Sequence, residues 1–242
     1  MNKNVFRKTR IASWEARLPD TFPTLNADAI FDRACTILHD ELHSVNDRGN
    51  RMVGVHIRKN ILPGYACYRA PLDSGVDSAL AAAFVEAELC RSVQRMSRLS
   101  HWLSDKKAAY PLVVRALRLA LYYAYPKEGW IVQSKQFSDQ FSSFEMATCL
   151  YCEELKKRGA LELCHAFCQT DHASYDPLAP GVIFTRKTTL AQGGEVCDFC
   201  FARGKLQKAN FCFGHIGCLD GNGKRKIKIS EYHRRHSSVR KT

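Results

Sequence analysis

The sequence predicts an α+β fold: a helical N-terminal half followed by an antiparallel sheet with a packed helix. Three observations carry the prediction. Up to about residue 124 the apolar residues recur at three- and four-residue spacing, the period of a helix with one buried face. Pro111 and Pro126 bracket the last of these stretches as start and stop signals. Beyond Gly129 the apolar runs shorten, gain aromatic and β-branched residues, and are parted by polar turns, the pattern of strands. Helices that come first and strands that come later segregate rather than alternate, which is the α+β arrangement.

Taken in order, Asn26 is an N-cap for a helix in which Ile30, Phe31, Ala34, Cys35, Leu38 and Leu42 share a face, making Cys35 a core residue. Residues 51–75 contain Ile61-Leu62-Pro63-Gly64, a breaker expected to separate two short elements. Residues 78–105 read as one long helix with Leu80, Phe84, Ala87, Val93, Met96, Leu99 and Leu103 on a stripe. The helix bounded by Pro111 and Pro126 follows. Trp130-Ile131-Val132 and residues 141–149 read as two strands, residues 153–167 as a helix, and residues 181–191 and 195–203 as a hairpin turning at Gly193-Gly194. The expected organisation is an N-terminal extension over 1–25 and a single domain over 26–220, helical over 26–128 and sheet-containing over 129–220. A basic, disordered tail is expected over 221–242.

The 242 residues are 45% hydrophobic, enough to bury a core without disulfide staples. The net charge of +12 suggests a nucleic-acid partner until its location is considered. Residues 224–242 carry eight Lys/Arg against Glu231, and residues 1–10 carry four Lys/Arg and no acid. The body between them is nearly neutral, which confines any nucleic-acid contact to the tail. Residues 11–25 mix charges and prolines where the apolar core of a signal peptide would stand. The most apolar window, residues 112–124, contains Arg115 and Arg118 and falls short of the roughly 20 residues that span a bilayer. A cytoplasmic protein without a membrane partner is expected, and a homo-oligomer is compatible with the sequence.

Eleven cysteines without an export signal point to free thiols, ligands or catalysis rather than a disulfide framework. Eight of them fall in the second half, at 149, 152, 164, 168, 197, 200, 212 and 218. Zinc or an iron–sulfur cluster held by four of Cys149, Cys152, Cys164, Cys168, Cys197 and Cys200 is one reading. Two features weaken it: the C-x-x-C pairs lie far apart, and on a regular strand Cys197 and Cys200 point to opposite faces. Cys164 and Cys168, four apart on a helix, share a face, with Asp171 expected just beyond the helix end. A thiol and a carboxylate delivered to one point suit catalysis, provided a neighbour such as His165, His172 or Arg186 favours the thiolate. Asp198, among apolar neighbours on a strand, needs a partner, either water or a substrate amine.

Several segments occur in a characteristic order: Ile61-Leu62-Pro63, Ala66-Cys67-Tyr68-Arg69, Phe144-Glu145-Met146-Ala147-Thr148-Cys149 and Phe167-Cys168-Gln169-Thr170-Asp171. They continue as Pro180-Gly181-Val182-Ile183-Phe184-Thr185-Arg186-Lys187-Thr188-Thr189-Leu190-Ala191 and Gly193-Gly194-Glu195-Val196-Cys197-Asp198-Phe199. This succession resembles the L-2-amino-thiazoline-4-carboxylic acid hydrolase family over roughly residues 50–203, most specifically over 144–200. Cys152, Cys164, Cys200, Cys212, Cys218 and the basic tail have no place in that pattern.

The resemblance implies a hydrolase acting on a carbon–nitrogen bond of a cyclic amidine and opening L-2-amino-thiazoline-4-carboxylate, or a small molecule like it, to a carbamoyl-cysteine. Its motif carries Cys168, Asp171, Cys197 and Asp198. In the expected scheme Cys168 attacks the amidine carbon, or water does so with Asp171 as base, and Asp171 moves the protons. Cys197 assists or substitutes as nucleophile, Arg186 pairs with the substrate carboxylate, and Asp198 and Cys149 complete the binding side. No cofactor is expected on this reading. The alternatives are the zinc or iron–sulfur protein and a non-enzymatic sensor of a small molecule or of redox state.

Overall fold

The computed structural model describes residues 5–204. The expected tail, Cys212 and Cys218 therefore lie outside the described residues.

The N-terminal segment packs into the same core as the rest. Phe6, Ile11, Trp14, Leu18 and Phe22 are buried, although residues 1–25 read as an extension. The Trp14 ring meets Phe6 edge-on at 5.4 Å and lies 5.7 Å from Phe31 and 6.0 Å from Phe84, so the segment closes an aromatic cluster that would otherwise face water. The Arg17 guanidinium clamps buried Glu88. After the short helix α1 (Leu18–Thr21), α2 (Ala27–His43) starts where Asn26 Oδ1 accepts the Ala29 N–H, as the capping signal predicted, and it buries Ile30, Ala34, Cys35 and Leu38.

The Ile-Leu-Pro-Gly segment does not break the chain. Helix α3 (Arg51–His56) runs through a π-turn over Ile57–Ile61 into α4 (Leu62–Asp73). Pro63 brings no N–H to the Lys59 carbonyl four residues back, which instead accepts the Arg10 N–H at 2.9 Å, and Gly64 lets the Phe167 ring come so close that a Cβ would lie 2.5 Å from it. The expected long helix over 78–105 is instead two, α5 (Ser78–Ser92) and α6 (Gln94–Leu103), because Val93 leaves helical geometry at φ −98°, ψ 7°. The turn rotates the apolar stripe: Val85 and Leu89 are buried, whereas Met96 and Leu99 are exposed. Helix α7 (Ala109–Tyr123) carries Pro111 in its first turn and ends before Pro126, as predicted.

The second half supplies β1 (Val132–Phe137), β2 (Phe141–Met146), α8 (Leu150–Lys157), α9 (Cys164–Tyr175), β3 (Val182–Thr185) and β4 (Cys197–Arg203). The strands form one antiparallel sheet in the order β1-β2-β4-β3, with Met146 opposite Cys197 and Thr185 opposite Cys200. The fold is α+β, with most of its helices in the N-terminal half. The helix expected over 153–167 is interrupted. Gly159 takes φ +65° just past α8, and the Ala160 N–H donates back to the Leu155 carbonyl, a glycine-dependent stop. The inner face of the sheet buries Phe144, Met146, Cys197, Phe199 and Phe201, and α9 crosses it with Tyr175 5.3 Å from Phe184 and 5.2 Å from Phe201. No helix of the described residues is long and apolar enough to cross a membrane.

Candidate active site

Between α9, the inner face of the sheet and the start of α8 lies a cavity of about 240 Å³. Cys149, Cys164, Cys168, Asp171, Arg186 and Cys197 line it, with Tyr125, Trp130, Phe144, Tyr151 and Phe199 as its aromatic walls and Arg10 from the N-terminal segment. Asp171 lies inside α9 rather than beyond its end, since the helix continues to Tyr175. The spacings 164, 168, 171 and 175 then put two thiols, a carboxyl and a phenol on one helical face.

Arg186 is committed to this helix. Its Nη1 donates to Asp171 Oδ2 at 2.7 Å and its Nη2 to the Cys168 carbonyl at 2.8 Å, while the guanidinium stacks 5.2 Å from the Phe199 ring. The side chain of Arg186 is 3% exposed and that of Asp171 26%. Burial raises the Asp171 pKa above the ordinary carboxylate value, and the Arg186 charge only partly opposes that shift. Asp171 is thus a carboxyl that can both hold and release a proton nearer neutrality.

The thiols differ sharply. Cys149 is the N-cap of α8, and its pKa is held well below the usual thiol value. The Cys152 thiol contributes most as a donor to it, then the Cys164 thiol, with the N–H groups of Cys152 and Tyr151 adding to the effect. The same contacts keep Cys152 and Cys164 protonated: hydrogen bonding to Cys149 leads the causes that raise each of them. The Sγ atoms of Cys149, Cys152 and Cys164 all lie within 4.8 Å of one another, with Cys152 and Cys164 at 2.9 Å. This is the spacing three ligands of one thiophilic ion could take. Cys197 stays a thiol, its pKa pushed up to about 12 chiefly by burial, while its Sγ accepts the Leu190 N–H at 3.2 Å.

A model of the L-2-amino-thiazoline-4-carboxylic acid hydrolases matches residues 56–201, more than half of the chain. The chain belongs to that family. No curated protein and no solved structure matches significantly. The segment that matches the hydrolases contains every cavity residue named above except Arg10.

Of the residues singled out in the sequence, the fold gathers Cys149, Cys168, Asp171, Arg186 and Cys197 around one space. Asp198 is not among the lining residues. Its carboxylate accepts the N–H groups of Lys187 at 2.9 Å and Thr188 at 2.7 Å, which fixes the segment after β3 next to Arg186. Cys200 does not line the cavity either: β4 alternates buried and half-buried positions, placing Cys200 on the face opposite Cys197. The six cysteines considered as ligands are therefore not brought to one point. His165 Nε2 meets Gln169 Nε2 at 2.8 Å, and His172 Nδ1 meets Asp176 Oδ1 at 3.3 Å.

Two features of this hydrolase-family site were missed. Arg10 was assigned to an extension, although Ile11, Trp14, Leu18 and Phe22 recur at helical spacing and signal a docked segment. Tyr151 is positioned by a relay in which His56 Nε2–H donates to the Ala124 carbonyl at 2.9 Å and the Tyr151 hydroxyl meets His56 Nδ1 at 2.8 Å, leaving the burial-neutralised imidazole as acceptor. That relay joins residues 95 apart and leaves no local pattern.

Proposed function

We propose that this chain hydrolyses a cyclic amidine of the 2-amino-thiazoline-4-carboxylate type to a carbamoyl-cysteine, with Cys149 as nucleophile, Asp171 as proton carrier and Arg10 as partner of the substrate carboxylate. One observation carries the reading: a thiol held well below its usual pKa and a half-buried, raised carboxyl share a cavity of about 240 Å³. That volume suits a five-membered ring with two small substituents and is below the roughly 300 Å³ at which drug-sized pockets begin.

The Cys149 thiolate adds to the carbon bonded to ring sulfur, ring nitrogen and the exocyclic amine. Asp171, protonated, gives its proton to the ring atom that leaves and becomes the carboxylate, and the ring opens with the former amidine carbon held on Cys149 as a neutral thioimidate. Water then adds to that carbon, Asp171 takes the proton, and the Cys149–carbon bond breaks to return the thiolate. Rupture of the ring C–S bond yields the N-carbamoyl product and rupture of the ring C–N bond the S-carbamoyl isomer. Arg186 keeps Asp171 aimed into the cavity, and its guanidinium is already occupied. Arg10 supplies the remaining positive charge for a substrate carboxylate, a charge-assisted contact of about 1.5–3 kcal/mol.

The test is turnover of L-2-amino-thiazoline-4-carboxylate by the full chain and by three variants. Cys149→Ser is expected to lower kcat by about a thousandfold or more, and Arg10→Met to raise KM by roughly tenfold to a hundredfold. Cys168→Ser separates this assignment from the nucleophile expected from the sequence. A Cys168→Ser variant that is dead beside an active Cys149→Ser would transfer the nucleophilic role to Cys168.

A further inference from the structure

The thiol cluster contains more sulfur than the hydrolytic scheme uses. Cys152 and Cys164 stand outside the motif segments of the family, yet both are placed against Cys149. Cys149 and Cys152 form a C-x-x-C across the start of α8, with Cys149 in extended geometry at φ −138°, ψ 116° and Cys152 in the first turn. Cys164 opens α9 with its sulfur 2.9 Å from that of Cys152, which holds Cys152 inside the cluster. A C-x-x-C pair at a helix N-terminus is the local geometry in which two thiols form a reversible disulfide.

We propose that Cys149 is a peroxide-oxidisable thiol resolved by Cys152, so that hydrogen peroxide converts the pair into a reversible disulfide at the wall of the cavity. The cavity admits the oxidant, because hydrogen peroxide is little larger than a water molecule of about 30 Å³. In the first step the Cys149 thiolate attacks one peroxide oxygen, the O–O bond breaks, and Cys149 becomes a sulfenic acid as hydroxide leaves. In the second, the Cys152 sulfur attacks the Cys149 sulfur and the S–O bond breaks. The Cys152 proton and the hydroxyl leave as water, and a Cys149–Cys152 disulfide remains. One peroxide is reduced to water and hydroxide, and two thiols are oxidised. A dithiol reductant reverses the change by exchange. Cys149 lines the cavity and meets the oxidant first, whereas Cys152 stands behind it, outside the lining, and follows as the resolving thiol. The disulfide itself does not depend on the hydrolase reading; only its consequence, loss of turnover while Cys149 is oxidised, rests on it.

The experiment titrates the reduced full chain with hydrogen peroxide, blocks the remaining thiols by alkylation, and maps peptides after cleavage at Tyr151, between the two cysteines. The expected result is a loss of two thiols and about 2 Da, a Cys149–Cys152 link, and recovery of both thiols with dithiothreitol. A Cys149 that stays alkylatable, a Cys149 sulfinic acid beside a reduced Cys152, or a link between other cysteines overturns the proposal. The Cys152→Ser variant gives a second readout: Cys149 sulfenic acid should accumulate and be trapped by a cyclic 1,3-dione several-fold more than in the unmodified chain, and equal trapping in both overturns it. A chain that forms the disulfide but hydrolyses no amidine refutes the function alone, and one that hydrolyses without forming the disulfide refutes the switch alone.

Discussion

Replacing Arg186 by Met isolates the electrostatics of the site. The substitution keeps an unbranched side chain against Phe199 but removes both hydrogen bonds to α9 and leaves Asp171 without its counter-charge. Removing one partner of a buried ion pair costs about 3–5 kcal/mol, and because Asp171 is 26% exposed the low end, about 3 kcal/mol, is expected. For a chain of this size that corresponds to a fall in Tm of roughly 6–12 °C. The loss depends on pH with a definite sign. Burial already raises the Asp171 pKa above its unfolded value, and losing Arg186 raises it further. Between the unfolded and folded pKa values the native state binds more protons, so stability falls as pH rises through that window, and the fall is complete above the folded value. The deficit of the variant should therefore be small near about pH 3, below the unfolded value of about 3.9, where Asp171 is largely protonated in both states, and full near about pH 8. Thermal unfolding at both pH values measures it, and adding Asp171→Asn should restore most of the lost stability but none of the activity. A deficit that is equal at the two pH values, or below about 1 kcal/mol at the higher one, refutes the reasoning.

Three further outcomes follow from the same structure. Alkylation with iodoacetamide at neutral pH should modify Cys149 before Cys197, whose thiol is pushed up to about 12; mass mapping that finds Cys197 first contradicts the ordering of the thiols. Trp14→Ala removes a fully buried ring from the N-terminal segment and should destabilise the chain by about 3–5 kcal/mol in urea unfolding, whereas a segment that merely extends from the domain would give almost no change. Gly64→Ala places a Cβ 2.5 Å from the Phe167 ring at the cavity wall, so about 1–3 kcal/mol of overpacking should appear in unfolding together with a raised KM; an unchanged Tm would show that Phe167 moves aside freely.

The parts of the fold legible in the sequence are those set by local rules. The Asn26 cap, the two prolines around α7 and the alternation that places Cys197 and Cys200 on opposite faces each depend on neighbours a few residues away. The errors arose where tertiary packing decides. The apolar stripe continued past Val93 in pattern but not in direction, and Pro63-Gly64 read as a breaker until Phe167, distant in sequence, required the glycine. The site followed the same division. The 164, 168, 171 face is helical arithmetic and was nearly complete in the sequence, with the helix end placed about two turns too early. The acidity of Cys149 owes most to Cys152 in the same C-x-x-C, but the second donor, Cys164, arrives from the next helix, and the role of Arg10 depends on a segment docking from the far end of the chain; neither of these two contacts has a local signature.

The most direct measurement is rapid-quench mass spectrometry of the full chain mixed with L-2-amino-thiazoline-4-carboxylate. The predicted result is a transient adduct of the ring-opened substrate on the peptide containing Cys149, forming and decaying with turnover and absent from Cys149→Ser. Turnover with no adduct on Cys149, in a chain whose Cys149→Ser variant remains active, would contradict the account.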